Sequence, residues 1–135
     1  MSGDRMNLDY QQQVLCFKAL SDETRLQILE MLTMGELCAC KILEQFQFTQ
    51  PTLSYHMKNL TQAGLVNARK EGKWTYYSIN REIMQDVGRC FERLLEAESQ
   101  QHCLLCGKSR AEWEQSQTCE SNCCCSNHED SQDQI

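Results

Sequence analysis

The sequence predicts a mainly α fold, a winged helix-turn-helix with a two-stranded β-hairpin wing and terminal helices for dimerisation. Three observations carry that expectation. The 135 residues hold only six Gly and one Pro, whereas folds rich in hairpins draw on Gly for positive φ. Apolar residues recur at helical spacing as far as Leu60. The period then drops to about two across VNAR, EGK and WTYYSIN, with basic residues at the turn.

Each element follows in order. Residues 9 to 20 set Val14, Leu15, Phe17, Ala19 and Leu20 among polar neighbours, giving a helix with one apolar side. Ser21 reads as the N-cap of a helix over about 22–33, with Asp22 and Glu23 favourable to the dipole of its first turn. Its apolar stripe is Leu26, Leu29 and Leu32, flanked by Ile28 and Met31, and Gly35 ends it. A third helix, about 39–47, turns Ile42, Leu43 and Phe46 inward. Thr49 caps a fourth, which tolerates Pro51 in its first turn and buries Leu53, Met57 and Leu60.

Gly64 closes that helix, and the hairpin follows with Arg69, Lys70 and Lys73 around its tip. Asn80 caps a last helix over about 81–97. There Ile83, Val87, Cys90 (or Phe91) and Leu94 form a seam suited to a helix of a second subunit. The expected organisation is a DNA-binding and dimerisation domain over 1–98, then a Cys-rich acidic tail over 99–135, flexible unless metal orders it.

Composition narrows the function. The chain has no apolar run of about 18 residues, and it starts MSGDRMNLDYQQQ, polar where a signal peptide would be basic and then apolar. A cytoplasmic protein with no membrane segment is expected, and its ten cysteines are then reduced thiols available for metal or redox chemistry. The net charge of −6 sits unevenly: residues 1–100 hold 11 Lys/Arg against 13 Asp/Glu, and residues 101–135 hold 2 against 6. Overall acidity is therefore no argument against a nucleic-acid face in the first part. No Ser-His-Asp set, phosphate loop or paired carboxylates are evident, so an enzyme is not expected.

TQPTLSYHMKNL, residues 49–60, is the candidate recognition helix. With its apolar stripe inward, Gln50, Thr52, Ser54, Tyr55, His56 and Lys58 are the residues able to face a duplex, and Arg69 and Lys73 belong to the wing. Gln can pair with adenine, Ser and Thr can reach base edges or phosphate, and Lys neutralises phosphate.

The segments ALSDETRLQILEML, GELCACKILEQF, TQPTLSYHMKNLTQAGLV and RKEGKWTYYSIN, taken in that order, resemble the arsenic-sensing branch of the ArsR/SmtB family over about residues 12–95. The resemblance implies a homodimeric repressor that binds double-stranded operator DNA and is released by As(III) or Sb(III). It also implies that the inducer is held in Glu36-Leu37-Cys38-Ala39-Cys40, by the Cys38 and Cys40 thiolates. Two residues apart on a regular helix, side chains point about 200° away from each other, so both can hold one ion only if the helix start is unwound. Trivalent arsenic and antimony are soft and prefer thiolate sulfur, and a helix N-terminus lowers the thiol pKa.

The chain departs from the family pattern at Leu43, where a third cysteine is often found. Candidates for the third ligand are Cys16, a tail cysteine such as Cys103 or Cys106, or a small exogenous thiol. Cys90 is expected to pack in the core. Asp86-Val87-Gly88 lacks the Asp-x-His pattern of zinc-sensing relatives. The tail carries Cys103-x-x-Cys106, Cys119 and Cys123-Cys124-Cys125, with His102 and His128 nearby, so zinc or another thiophilic metal is a candidate tail ligand. The rival function is a thiol redox sensor or metal-buffering protein using that tail.

Overall fold

A computed structural model describes residues 8–115. It divides into two compact units, Met1–Cys90 and Phe91–Ile135. The element order is α1 (Tyr10–Leu20), α2 (Glu23–Leu32), β1 (Leu37–Cys38), α3 (Ala39–Gln45), α4 (Gln50–Gln62), β2 (Val66–Glu71), β3 (Trp74–Ile79), α5 (Arg81–Gln100) and α6 (Arg110–Gln115). This is the expected winged helix-turn-helix, with one addition. The wing hairpin gains a third strand, β1, in an antiparallel sheet of order β1-β3-β2.

Local chemistry sets the helix ends. The Asp9 carboxylate accepts the Gln12 backbone N–H at 2.7 Å and opens α1. Asp22, and not Ser21, caps α2 by accepting from the Arg25 N–H at 3.1 Å. Ser21 instead closes α1, its hydroxyl donating to the Lys18 carbonyl at 2.7 Å. Thr49 caps α4 as expected, accepting from Thr52 N–H at 3.4 Å, with Pro51 in the first turn where no N–H partner is lost. Gly64, at φ +80°, makes the left-handed turn that releases α4 into β2.

The core of the first unit gathers Cys16 and Ala19 from α1, Ile28, Leu29 and Leu32 from α2, and Ile42 from α3. Leu53, Met57 and Leu60 of α4 join them, with Ala63, Leu65, Val66 and Val87. Two expected stripes need correction. On α2 the buried line is Arg25, Ile28, Leu29 and Leu32, and Leu26 is 47% exposed. On α1, Cys16 and Ala19 are buried, while Val14 and Leu15 are about half exposed. A chain position one step off the chosen stripe rotates by about 100°, enough to move a side chain from core to surface.

Arg25 is the one charged residue in this core among the described residues. Its Nε donates to the Ala19 carbonyl at 2.6 Å, and its guanidinium also reaches Lys18 O at 3.4 Å and the His56 ring at 3.5 Å. The cation thereby satisfies the open carbonyl end of α1 and ties α1, α2 and α4 together.

Leu60→Ala removes a fully buried side chain of α4, and the loss expected for such a cavity is about 2–5 kcal/mol. Tyr55→Ala, on the exposed side of the same helix, should stay within about 0.5 kcal/mol. Urea denaturation at one fixed protein concentration compares the two, and equal midpoints would contradict this core.

Candidate nucleic-acid interface and thiol site

Strand pairing brings the site together. Leu37 lies opposite Tyr77 and Cys38 opposite Tyr76 in the β1–β3 ladder, while Tyr76 also faces Arg69 across the β2–β3 ladder. Cys38, Tyr76 and Arg69 therefore form one row across the three-stranded sheet, and residues in such a row share a face. The Arg69 guanidinium lies 4.7 Å from the centre of the Tyr76 ring.

Cys38 is the N-cap of α3 and has extended backbone, φ −68° and ψ 145°, so the helix begins only at Ala39. The helix start is thus unwound at Cys38, the condition that the two-residue spacing sets for both thiols to meet one ion. The Cys38 and Cys40 sulfurs already lie 2.9 Å apart, with the Cys40 thiol donating to Cys38. That hydrogen bond lowers the Cys38 pKa from its ordinary value and raises that of Cys40. Both residues are half-buried at the surface. The pair thus offers two adjacent sulfurs, a bite for a soft ion.

Cys16 is elsewhere. It is fully buried, its thiol donates to the Ala63 carbonyl at 3.4 Å, and burial pushes its pKa up. Among the described residues no group of three or more His, Cys, Asp and Glu side chains comes together, so Cys16 is not brought to the pair. Leu43 packs against the apolar core. Cys90 is buried, donating to the Asp86 carbonyl at 3.3 Å. Cys103 and Cys106 belong to the second unit. Cys119, Cys123, Cys124, Cys125 and His128 lie outside the described residues.

On α4, Gln50, Thr52, Ser54, Tyr55 and Lys58 are exposed. His56 is not with them, which corrects its assignment as a base-reading residue. Its side chain is 12% exposed, 3.9 Å from the Asp22 carboxylate and within ring contact of Phe48. Leu53, His56, Met57 and Leu60 fall at i, i+3, i+4 and i+7, so the helical pattern itself puts His56 at the edge of the buried stripe.

On the wing, Lys70 and Lys73 are exposed. Arg69 is also exposed but engaged: Glu36 grips it with both oxygens, at 2.6 and 3.1 Å, and Glu71 adds a contact at 2.8 Å. The guanidinium beside it holds the Glu36 carboxyl below the usual carboxylate range. Sequence reading missed both this clamp and Arg25. Arg25 left a signal, an arginine occupying the first position of an i, i+3, i+4, i+7 apolar stripe. Glu36 and Arg69 are 33 residues apart, and only the β1 pairing reveals them as neighbours.

The sequence pattern described as "Bacterial regulatory protein, arsR family" matches residues 22–68. An arsenical resistance operon repressor of Staphylococcus aureus is 49% identical over 80 residues, which cover 59% of this chain and 77% of that protein. A solved ArsR family transcriptional regulator superposes with a TM-score of 0.65 at 23% identity, over 70% of this chain and 97% of that one, a likeness of fold. The homodimeric winged helix-turn-helix DNA-binding domain of a possible ArsR-family regulator from Mycobacterium bovis superposes with a TM-score of 0.51 at 31% identity. That match covers 71% of this chain and 91% of that one.

The thiol environments predict an order of reaction. A lowered pKa raises the thiolate fraction at pH 8 and a raised one reduces it, and only the thiolate is nucleophilic. With limiting iodoacetamide, Cys38 should be alkylated well before Cys16, followed by peptide mass spectrometry over time. Modification of Cys16 at the rate of Cys38 would contradict the burial described.

Proposed function

This chain belongs to the ArsR family of bacterial regulatory proteins, DNA-binding repressors and not enzymes, and from that premise we propose that it is a homodimeric repressor released from its operator when As(III) or Sb(III) binds Cys38 and Cys40. The observation that carries the reading is the 2.9 Å approach of those two sulfurs where β1 meets α3. Each thiol replaces a hydroxide of arsenite, its proton leaving with that hydroxide as water. With leucine at position 43 and Cys16 occupied in the core, the third position falls to a small exogenous thiol. The name of the Staphylococcus aureus relative, a repressor of an arsenical resistance operon, supports the choice of inducer.

In this reading α4 enters the major groove, with Gln50, Thr52, Ser54 and Tyr55 toward base edges and Lys58 toward phosphate, and the wing lysines Lys70 and Lys73 meet the backbone. Two copies join through apolar surface that one chain leaves uncovered, including Tyr10, Val14 and Leu15 on α1. The domain of the repressor extends to residue 98, the Cys-rich tail following it.

Two routes link the thiols to the DNA face. Ile42 of α3 is fully buried in the core shared with Leu53 and Met57 of α4, so a displaced α3 start pushes on the recognition helix. Cys38 is also hydrogen-bonded into the sheet next to Tyr76, and Glu36 holds Arg69. A shift of residues 36–38 therefore changes how Arg69 is presented to phosphate. A tenfold loss of operator affinity needs only about 1.4 kcal/mol, within the usual 1–3 kcal/mol of allosteric coupling.

Reduced protein titrated with arsenite, followed at once by sulfur-to-arsenic charge-transfer absorbance and by operator fluorescence anisotropy, tests the proposal. The parent should show both signals together. Cys38→Ser and Cys40→Ser should bind operator like the parent and keep it bound at arsenite concentrations that release the parent. Release that survives in the Cys38/Cys40 double variant would overturn the reading.

The Glu36 clamp yields its own expectation. Glu36→Gln leaves Arg69 held by Glu71 alone and easier to draw to phosphate, so operator binding should tighten and its logarithmic salt slope steepen by up to about one unit. Glu44→Gln, an exposed acid paired with Lys41, is the control for net charge. Equal effects of the two variants on the slope would remove Arg69 from the coupling route.

A further inference from the structure

Three thiols of the first unit donate hydrogen bonds, and their acceptors differ in kind. Cys16 and Cys90 are buried and donate to carbonyl oxygens, Ala63 O at 3.4 Å and Asp86 O at 3.3 Å. Cys40 donates instead to a second sulfur, Cys38, at 2.9 Å, and both of these residues are half-buried at the surface. A disulfide bond is about 2.05 Å long, so these two sulfurs need to close by less than about 1 Å to form one.

The backbone already permits that closure. Cys38 is extended and held opposite Tyr76 in β1, while Cys40 lies in the first turn of α3. A continuous helix would point the two side chains about 200° apart and keep the sulfurs from bonding. Closure on so small a scale falls to the side-chain torsions, and the ladder and the helix stay formed. Among the described residues no third His, Cys, Asp or Glu side chain joins the pair, so each sulfur has the other as its nearest partner for chemistry.

We propose that Cys38 and Cys40 are a redox modification site, at which peroxide forms an internal disulfide that leaves the repressor on its operator and deaf to arsenite. The sulfur of one thiolate attacks a peroxide oxygen: an S–O bond forms, the O–O bond breaks, and the departing hydroxide is protonated to water. The second thiol attacks the resulting sulfenic sulfur, forming the S–S bond as the S–O bond breaks, and its proton leaves with that hydroxide as a second water. Two thiols and one hydrogen peroxide give one disulfide and two waters, with two electrons passing from sulfur to oxygen. Deafness rests on the reading of these thiols as the inducer ligands, because a soft metalloid is held by thiolates and the disulfide has none. Retention on DNA rests on the geometry: a metalloid has to be seated between the sulfurs, whereas the bond only draws them together. Exposed disulfides are the labile ones, so reduction restores the sensor.

Reduced full-length protein, freed of reductant, is treated with increasing equivalents of hydrogen peroxide, quenched with catalase and alkylated with iodoacetamide under denaturing conditions. The tryptic peptide ending at Lys41 should appear lighter by two hydrogens and without label, while Cys16 and Cys90 are alkylated. Operator fluorescence anisotropy should be the same before and after oxidation, and arsenite that releases the reduced protein should leave the oxidised protein bound. A phosphine reductant should bring release back. Cys38 and Cys40 that stay open to alkylation while other cysteines oxidise would overturn the proposal. So would operator loss on oxidation that the Cys38→Ser/Cys40→Ser variant does not share. In both cases the inducer reading still stands if that variant, reduced, ignores arsenite. A linked pair that arsenite still releases from DNA would sink both.

Discussion

The antiparallel pairing of Leu37 and Cys38 with Tyr77 and Tyr76 is the constraint on which the rest of this structure depends. It stops α3 from extending backwards, because a residue committed to a β-ladder cannot also have helical φ and ψ. Cys38 is left extended, Cys40 lies in the first turn of a helix, and the change of backbone state between them brings two sulfurs together that a continuous helix would separate. The same two residues of pairing carry Glu36 to the wing, where it meets Arg69. A ladder of two residue pairs is a short element, and small elements are where a ligand's modest differential affinity can shift an equilibrium.

A second constraint fixes the reading head. Arg25 is a buried cation whose partners come from the end of α1 and from α4, so the angle between α2 and α4 is set by hydrogen bonds as well as by packing. His56 and Asp22 complete that cluster. Removing one member would leave a buried donor or acceptor unsatisfied, which costs more than the net worth of the contact itself. The two devices differ in kind: the Arg25 cluster ties α4 to its scaffold through buried hydrogen bonds, while the neighbouring α3 start is tied to the sheet by two residue pairs.

Much of the fold was legible before any coordinates. Period and caps placed α4 to within a residue, with Thr49 as cap and Leu53, Met57 and Leu60 as its buried line, because that helix is strongly amphipathic and its punctuation is unambiguous. The hairpin was legible for the same reason, its period of two starting after Gly64 and turning at Gly72. α1 was misread because its apolar residues outnumber its core positions; the excess is surface that a single chain cannot bury. β1 was not legible at all. Two residues carry no period, and their partners lie some forty positions later. With β1 hidden, the thiol geometry and the Glu36 clamp were hidden too, and only family resemblance pointed to Cys38 and Cys40.

The proposed coupling through so small an element has a thermodynamic consequence. If metalloid at Cys38 and Cys40 lowers operator affinity by some factor, operator DNA must lower metalloid affinity by the same factor, since the two binding free energies share one cycle. A repressor already on DNA is then a poorer metalloid trap than the free dimer. Release therefore begins only when the ion is abundant enough to overcome that penalty. A rigid thiol site would bind the ion equally well in both states and shift nothing. In the proposed mechanism the useful feature of the Cys38–Cys40 pair is thus not tightness of grip but its position on backbone that the DNA-reading elements also hold.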